Sequence, residues 1–484
     1  MCVLIGVLVA ALGAAAPACL PSVQFETATD GGEGGHASEA SEDDVGDVSA
    51  SEMVAPPADG GLDADATNGN DGDASPSAIG PFAIDKFGGY LESAICAVYE
   101  GRLYCWGGNG SNLAGQLGFP PQSEDSGTDY PVPTLVPSTA EPASQITEIT
   151  MGSLHTCVLY GRTPYCRGDN SDDELGNGAS PGGPTEVAVL GLPEGGLDSI
   201  AAADFATCGL TLLPDAGSPS NVYCWGTNGE AELGRPYNLA ITVATPVTGA
   251  IDGGPTGAIP DAIAVAGGGT HFCALTRAHE IECWGGTEFY ESGPVQGPTD
   301  CPGGNETNCS DQPQLVTLPS GEIPTAIAVG EYHSCALAMS GSVYCWGWSN
   351  ANQLGNTSVT QTCTDGDGTT GPCTGTPVKV TGLSNIQTLR AGGYDSCAID
   401  QLHHAYCWGD NAEGELGEGD TQPNPAPVEV RDLVTAIPYT FDDIAIGTEI
   451  LCGRSGDTLY CWGGGTLGTD APDGAPPSPA PVQF

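Results

Sequence analysis

Cysteine is the residue type whose number and spacing most directly predict chemistry in this chain. The 484-residue sequence contains 20 cysteines, and pairs nine, ten or sixteen residues apart recur along it. Zinc-binding cysteine pairs usually sit two to four residues apart, so the spacing favours disulfide bonds over a metal site. A high density of disulfides is typical of proteins from oxidising compartments. We therefore expect an exported protein that needs no metal or cofactor.

The sequence predicts nine disulfide bonds. Seven pairs recur at regular intervals, one in each of seven similar segments, and two more lie in insertions. The predicted pairs are Cys96–Cys105, Cys157–Cys166, Cys208–Cys224, Cys273–Cys283, Cys335–Cys345, Cys397–Cys407 and Cys452–Cys461 in the segments, and Cys301–Cys309 and Cys363–Cys373 in the insertions. Of the two remaining cysteines, Cys2 lies in an apolar N-terminal run and Cys19 follows that run.

The spacing within the repeated pairs fits two neighbouring strands of a hairpin. Where the cysteines are nine residues apart, a two-residue turn such as Gly456-Asp457 sets Cys452 opposite Cys461. Directly opposed strand residues lie about 4.5–5.5 Å apart at Cα, and a disulfide can bridge that separation. An offset of ten, as in the fourth to sixth segments, implies an odd-length turn and the same pairing.

Other residues carry weaker signals of chemistry. The run from Asp365 to Gly368 resembles part of a calcium loop but lacks the third acid and the distal Glu. Ser455-Gly456-Asp457 with Trp462 faintly resembles the Asp box of propeller sialidases, without the expected glycine. We can place no carboxylate pair across a pocket, and we find no phosphate loop or Ser/His/Asp arrangement. We therefore do not expect an enzyme.

The N-terminal part of the chain predicts export. Residues 3–16 form an apolar run that is too short to span a bilayer but suits a signal peptide. Ala16-Pro17-Ala18-Cys19 resembles a bacterial lipobox, although Ala16 stands where a Leu is usual. We expect a signal peptide over residues 1–19 with lipidation at Cys19, and simple cleavage at an Ala-x-Ala-like site is the alternative. Residues 20–78, largely Gly, Ala, Ser, Asp and Glu, predict a disordered acidic linker.

The charge of the chain limits its partners. Asp and Glu total 61 against 10 Lys and Arg, and residues 1–80 contain no Lys or Arg. A surface that binds phosphates needs clustered Lys and Arg, so nucleic acids are not expected as partners. Contact with a membrane is expected only through an N-terminal lipid anchor. Strong negative charge favours solubility and cationic partners.

The elements that must position the cysteines are short strands. From residue 79 onward the chain repeats at roughly 55–65 residues, and each unit offers four short apolar stretches. In the fifth unit they are residues 324–329, 334–338, 342–346 and 377–380. Alternation and β-branched content favour strands, and this repeat length is typical of propellers and arrays.

The repeated motif resembles that of the RCC1 (regulator of chromosome condensation) family. In the fifth unit it reads Gly330-Glu331-Tyr332-His333-Ser334-Cys335-Ala336-Leu337, then Gly341-Ser342-Val343-Tyr344-Cys345-Trp346-Gly347, then Asn352-Gln353-Leu354-Gly355. The tryptophan recurs in six units and is replaced by Arg167 in the second. The resemblance covers residues 79–484 and implies an all-β, seven-bladed propeller. We expect one disulfide in each blade, and we expect the ring to close by pairing residues 479–484 with the first blade.

The resemblance implies several activities. The eukaryotic founder of the family exchanges guanine nucleotide on a small GTPase and binds chromatin, whereas a bacterial relative is a secreted β-lactamase inhibitor that acts by binding. Export, disulfides and acidity set this chain apart from the founder. We expect an exported or surface-anchored monomeric scaffold that binds an unknown protein or a surface polymer. An extracellular, glycosidase-like hydrolase is the alternative, and exchange-factor activity is the weakest candidate.

The two disulfide-bearing insertions indicate where binding could occur. Strand counting puts the hairpin turns between the paired cysteines on one face. The insertions at about residues 287–313 and 356–376 fall on the other, in neighbouring blades, near the turns that contain His155, His271 and His333. We expect these histidines to be structural and the insertions to form a recognition patch. Its predicted contact residues are Phe289, Tyr290 and Trp348.

Overall fold

Short antiparallel strands form seven separate sheets in the computed structural model of the chain. The structure describes residues 79–84, 94–107, 112–120, 130–137, 139–178, 181–212, 220–235, 241–248, 258–294, 309–319, 321–364, 368–469 and 478–484. These ranges all fall within one compact unit, residues 73–484. The predicted signal peptide, Cys19 and the predicted linker lie outside the described residues.

Each sheet is one blade, built from consecutive strands. The strands are β1 (Ile79–Ile84), β2 (Ala94–Tyr99), β3 (Arg102–Gly107) and β4 (Tyr130–Leu135) in blade 1; β5 (Ile146–Met151), β6 (His155–Tyr160), β7 (Thr163–Gly168) and β8 (Gly183–Ala188) in blade 2; β9 (Ser199–Ala202), β10 (Ala206–Leu210), β11 (Val222–Gly226) and β12 (Ile241–Pro246) in blade 3; β13 (Ala262–Gly267), β14 (His271–Thr276), β15 (Ile281–Gly286) and β16 (Cys309–Val316) in blade 4; β17 (Pro324–Val329), β18 (His333–Ala338), β19 (Val343–Trp348), β20 (Thr362–Thr364) and β21 (Thr370–Lys379) in blade 5; β22 (Ile386–Gly392), β23 (Asp395–Asp400), β24 (Ala405–Gly409) and β25 (Val428–Glu429) in blade 6; and β26 (Asp443–Ile446), β27 (Ile450–Ser455), β28 (Thr458–Gly463) and β29 (Ala480–Pro481) in blade 7.

The predicted seven-bladed propeller is confirmed. The first strand of every blade contacts the first strand of the next, and β26 returns to β1 and closes the ring. Second strands such as β6, β14 and β18 are buried along their whole length because a neighbouring blade covers each face of the sheet. This burial accounts for their nearly continuous apolar sequences. No helical segment in the described ranges has the length and apolar character needed to cross a bilayer.

The prediction for ring closure is wrong. Residues 480–481 form β29, which pairs with β28 of their own blade and not with blade 1. Blade 1 takes all four of its strands from residues 79–135. The resemblance of Pro481-Val482 to Pro377-Val378 reflects the fourth strand that ends every unit. Side chains make the closing contact, because Phe484 stacks on Tyr99 of blade 1 with ring centroids 4.5 Å apart.

The prediction of one disulfide in each blade is confirmed. The seven repeated cysteine pairs are directly opposed on the second and third strands of their blades, as Cys452 and Cys461 are. Their Cα atoms lie 4.0–4.2 Å apart, somewhat closer than expected for unlinked strands. The bond therefore crosses the centre of each hairpin and ties its two strands together.

Tryptophans join each blade to the one before it. The indole N–H of Trp408 donates to the carbonyl of Gln353 at 2.8 Å, and Trp225, Trp284, Trp346 and Trp462 make the equivalent bond. The Leu-Gly glycines lie against these rings. A Cβ on Gly176 would approach Trp225 to 2.7 Å, and its φ is +60°. Only glycine fits both the close approach and the left-handed backbone at this position.

Replacing Trp408 with Phe should lower the free energy of unfolding by about 1–3 kcal/mol. The ring remains in place, but the carbonyl of Gln353 loses its donor in a buried environment. Urea denaturation of the oxidised full-length chain would measure the change. Tyr104→Phe, at a half-buried tyrosine, is the control and should change stability little. A Trp408 variant as stable as the parent would show that the indole bond does not hold the blades together.

Candidate functional site

The strand order gives the propeller two distinct ends. The end with the turns between the first and second strands is called the upper end here, and the end with the hairpins between the disulfide-linked strands is called the lower end. The connections between third and fourth strands leave from the upper end. Both insertions therefore begin there, in blades 4 and 5. In blade 5, Leu354-Gly355 folds back between the blades, and Gly355 lies against Trp408 of the next blade.

The structure brings the two insertions together. In blade 5, β20 and β21 extend the sheet, and the Cys363–Cys373 disulfide links them. Gly375 lies against the blade 4 insertion, because a Cβ there would come within 3.1 Å of Gly293 and Pro294. Cys309 is also disulfide-bonded, whereas its predicted partner Cys301 lies outside the described residues. Asp365 and Asp367 of the calcium-like run lie outside them as well.

Phe289 and Trp348 pack against each other between the two insertions. Their ring centroids are 4.3 Å apart, and the side chains are only 3% and 5% exposed. Cys373 completes this small core, and the half-buried Tyr290 and Tyr332 pack against it. Phe289 and Trp348 therefore support the insertions from within, while Tyr290 borders the surface. The binding role of the patch stays a prediction.

Sequence reasoning missed two further aromatic residues of this surface, Tyr332 and Tyr394. Tyr332 lies 5.2 Å from Phe289 and 6.1 Å from Tyr394, measured between ring centroids, so a row of rings runs across blades 4, 5 and 6. Both tyrosines occupy upper turns at the position before the His or Asp that starts the second strand. The sequence shows that the two tyrosines occupy the same position in the repeat. It does not show that their rings lie next to each other.

The upper-end histidines are structural, as predicted. His333 Nε2 lies 2.8 Å from the hydroxyl oxygen of Ser396 in the next blade, and burial lowers the pKa of His333 to about 3. The imidazole is therefore neutral at physiological pH. His155 and His271 make the same bond to Thr207 and Ser334. Asp395 occupies the equivalent position in blade 6 and is fully buried, and burial holds the pKa of its carboxyl well above the ordinary value.

Buried glutamates form a second repeated feature of the upper end. Burial, reinforced by nearby carboxylates, raises the pKa of Glu232 and of Glu291 to about 8. Burial likewise raises the pKa of Glu174 and Glu415 to about 7. One oxygen of Glu291 accepts the backbone N–H of Phe289 at 2.7 Å. Gln353 accepts the same bond in blade 5, so this position uses a neutral side chain as readily as a protonated acid.

The central channel is lined by the first strands of all seven blades and has a volume of about 770 Å³. Its carboxylates have evident structural partners. Glu148 accepts the N–H of Ile200 at 2.8 Å, Asp443 pairs with Arg390 at 2.8 Å, and Asp198 pairs with Arg162. Burial raises the pKa of Glu148. These three channel carboxylates thus take part in contacts that join neighbouring blades.

Comparisons with known proteins agree with this architecture. Models of the regulator of chromosome condensation (RCC1) repeat match residues 100–159, 325–353 and 340–399. The ultraviolet-B receptor UVR8 of Arabidopsis thaliana is 27% identical over 384 residues, which cover 77% of this chain and 75% of the receptor. Protein pim1 of Schizosaccharomyces pombe is 25% identical over 368 residues, 72% of this chain and 63% of that protein.

Two solved structures share the fold. Yeast RCC1 (Prp20) bound to Kap60 superposes with a TM-score of 0.58 at 20% identity, covering 76% of this chain and 78% of that one. Human WBSCR16 gives a TM-score of 0.60 at 17% identity, covering 79% of this chain and 95% of that one. At these identities the likeness shows the fold alone. The repeated motif, the matched segments and the seven sheets lead to one conclusion: the chain is a seven-bladed propeller that contains RCC1 repeats.

Proposed function

We propose that this protein is an exported scaffold that binds a partner protein through the upper end of blades 4 and 5. The observation that carries the proposal is the meeting of two insertions over the Phe289–Trp348 core. Insertions that exceed what the sheet requires, gathered on one face of a repeat array, are typical of binding surfaces.

The rigidity of this surface supports a recognition role. The Cys363–Cys373 disulfide fixes one insertion, and the backbone N–H of Ser349 donates to the carbonyl of Pro372 at 2.8 Å. The N–H of Trp348 donates to the carbonyl of Tyr332 at 2.9 Å. A surface that is already ordered loses little conformational freedom when a partner binds, which favours affinity.

Relatives of the same fold support a protein as the partner. Yeast RCC1 (Prp20) has been solved bound to Kap60, and Prp20p of Saccharomyces cerevisiae has been described together with its binding to Gsp1p and histones. For this chain we propose only the general property, protein binding by a propeller. A surface polymer remains the other outcome of the test.

Shortening both insertions should abolish partner binding while leaving thermal stability nearly unchanged. In the variant, short Gly-Ser turns replace residues 302–308 and 365–369, so that every cysteine is kept. Immobilised full-length oxidised protein would capture partners from envelope and secreted extracts, and the captured protein would then be purified for direct titration.

The matched control for this experiment lies at the lower end of blade 5, where Met339 and Ser340 are replaced by Ala. The control should bind the purified partner with unchanged affinity. A partner that binds the shortened variant as tightly as the parent would place recognition elsewhere on the propeller.

We further propose that Cys19 anchors the protein to a membrane after export. The seven blade disulfides support an oxidising compartment, and the lipobox-like sequence supports acylation. The parent should partition into the detergent phase of a Triton X-114 extraction, and Cys19→Ala should move it to the aqueous phase. Partition of both into the aqueous phase would favour simple cleavage.

A further inference from the structure

At the level of the blade disulfides, the central channel is lined by small side chains in six blades and by an arginine in the seventh. Five blades place an alanine opposite the first cysteine of their disulfide: Ala83, Ala201, Ala266, Ala328 and Ala445. Blade 2 has Thr150 at this position, and blade 6 has Arg390. A long cationic side chain thus replaces a methyl group at one point of the ring.

The guanidinium of Arg390 extends into the channel. Its Nη2 pairs with Asp443 at 2.8 Å, its Nη1 donates to the carbonyl of Leu389 at 3.0 Å, and the side chain is 46% exposed. Burial raises the pKa of Glu148, and hydrogen bonds and the charge of Arg390 act against that rise. Blades 2 and 6 are not neighbours, so this charge acts across the channel. A guanidinium has five N–H donors, and Arg390 therefore retains donors that a ligand can reach.

A second guanidinium lines the channel beside the same aspartate. Arg454 on β27 stands directly opposite Asp443 in the sheet of blade 7, and its Nη1 donates to the carbonyl of Ile79 in blade 1 at 3.3 Å. Its Nε is buried and has no acceptor among the described residues, so contacts within the chain do not satisfy this side chain. Two arginines thus flank one aspartate, which leaves an excess of positive charge near the lower end of the channel.

The acids that line the channel are already engaged. The two oxygens of Glu148 accept the Ser199 hydroxyl at 3.2 Å and the Ile200 N–H at 2.8 Å. Asp443 is paired with Arg390, and Asp198 with Arg162. The donors in this part of the channel therefore exceed the acceptors, and a ligand that fits should supply an acceptor with negative charge.

We propose that the channel binds a small organic carboxylate, with its charged group beside Arg390 and Arg454 and its apolar body against the alanine-lined wall. A planar guanidinium donates two parallel hydrogen bonds to a carboxylate. Half-buried apolar side chains such as Val265 and Ile327 also line the channel and suit the body of the ligand. The channel volume of about 770 Å³ lies in the range of small-molecule pockets. This site is independent of the proposed partner-binding surface at the upper end.

The net charge of the chain makes the sign of the ligand a sharp test. At −51 the protein attracts cations and repels anions over a long range. A preference for a carboxylate over an ammonium ion with the same alkyl chain therefore cannot come from general electrostatics. It has to come from a local excess of positive charge, which Arg390 and Arg454 supply in the channel.

Isothermal titration calorimetry of the oxidised full-length protein tests the proposal, with sodium octanoate as the probe and octylammonium chloride as the matched cation. We expect octanoate to bind at a single saturable site with a Kd below about 1 mM, and octylammonium to bind at least about 10-fold more weakly. Absence of octanoate binding at about 5 mM, or equal or tighter binding of octylammonium, would overturn the proposal.

Variants locate the site within the molecule. Arg390→Ala introduces the residue that five other blades carry at this position, so the fold should tolerate it, and it should weaken octanoate binding about 10-fold. Arg102→Ala removes the same charge from the exposed lower hairpin of blade 1 and should change the affinity less than about 2-fold. Equal losses in these two variants would overturn the proposal.

A third variant blocks the channel without touching either arginine. Ala201 lines the channel and is half-buried, so Ala201→Phe would place a ring in the space that we assign to the apolar body of the ligand. We expect this variant to lose octanoate binding. Unchanged binding by Ala201→Phe would put the ligand elsewhere on the protein and would contradict the channel site, whatever the effect of Arg390→Ala.

Discussion

Replacing Arg167 with Leu should lower the free energy of unfolding by about 3–5 kcal/mol, because it removes one partner of a buried ion pair. Arg167 takes the place of the tryptophan found in the other blades and is fully buried. Its Nη1 pairs with Glu186 at 2.6 Å, and its Nε donates to the carbonyl of Gln116 at 2.9 Å, the bond that tryptophan makes elsewhere.

The free energy of unfolding falls in the Arg167 variant because its ion-pair partner, Glu186, remains buried. Glu186 is almost completely buried and also accepts bonds from the Tyr160 hydroxyl at 2.9 Å and the Ala140 N–H at 2.7 Å. Without Arg167, a buried carboxylate would have no opposite charge. Burial lowers the pKa of Arg167 and the facing Glu186 carboxylate raises it, so the carboxylate helps to keep the guanidinium charged.

Urea denaturation of the full-length protein would measure the loss. Arg431→Leu breaks the exposed pair with Glu429 and serves as the control, with an expected change below about 1 kcal/mol. The double variant Arg167→Leu, Glu186→Leu should recover much of the stability, because no uncompensated charge is left. If Arg167→Leu alone were as stable as the parent, water would have to reach Glu186 in the folded chain.

Replacing both Glu232 and Glu291 with Gln should make the propeller more stable at pH 8 and change its stability little below about pH 4, where the carboxyls are protonated in both states. The pKa of each carboxyl is about 8 in the folded chain and near 4.5 in the unfolded chain. Between these values the folded chain holds a proton that the unfolded chain has released. The stability of the parent therefore falls as the pH rises through this window, by about 1.4 kcal/mol per pH unit for each carboxyl.

Glutamine cannot titrate and should remove this loss, giving a gain of several kcal/mol, at most roughly 9 kcal/mol for the two carboxyls together, at pH 8. The substitution is compatible with the site, because Gln353 accepts the same backbone bond at the equivalent position. Glu322→Gln, at a half-buried residue of the lower end whose pKa is lowered by hydrogen bonds from Ser340 and Tyr344, is the control and should not reproduce the gain. Parallel pH profiles of the parent and the double variant, followed by urea denaturation, would contradict the assignment of raised pKa values to these two residues.

The fold was predictable because the same pattern of strands, turns and cysteines occurs seven times in the sequence. The disulfide register followed from cysteine spacing alone, since the residue pairs that face each other across a hairpin are set by turn length. The boundaries of the first three strands of blade 5 were also close, with residues 324–329 reproduced as β17, whereas the strand predicted at 377–380 begins already at Thr370. The prediction of ring closure was wrong because the order of the units does not show whether the last strand pairs with its own blade or with blade 1.

The site was only partly predictable. The insertions were visible as departures from the repeat. Phe289, Tyr290 and Trp348 lie in one cluster, while their binding role stays a prediction. Their burial was not predictable, because it depends on contact between insertions of two different blades. Glu186 was missed as the partner of Arg167 for the same reason: it is 19 residues away, on the fourth strand, and no local pattern links the two. Tyr332 and Tyr394 look like ordinary turn residues until the ring brings them side by side.

Every blade is completed by its own fourth strand, and this affects how such a chain can change during evolution. Each boundary between blades falls in a connecting loop, so a tandem duplication or deletion of one repeat in the gene adds or removes a complete sheet. The first and last strands that the structure describes meet at the junction of blades 7 and 1, where Phe484 packs on Tyr99 and the Trp106 N–H has no acceptor among the described residues. Circular permutation to any other junction would leave all seven sheets intact, since the covalent break interrupts no strand pair.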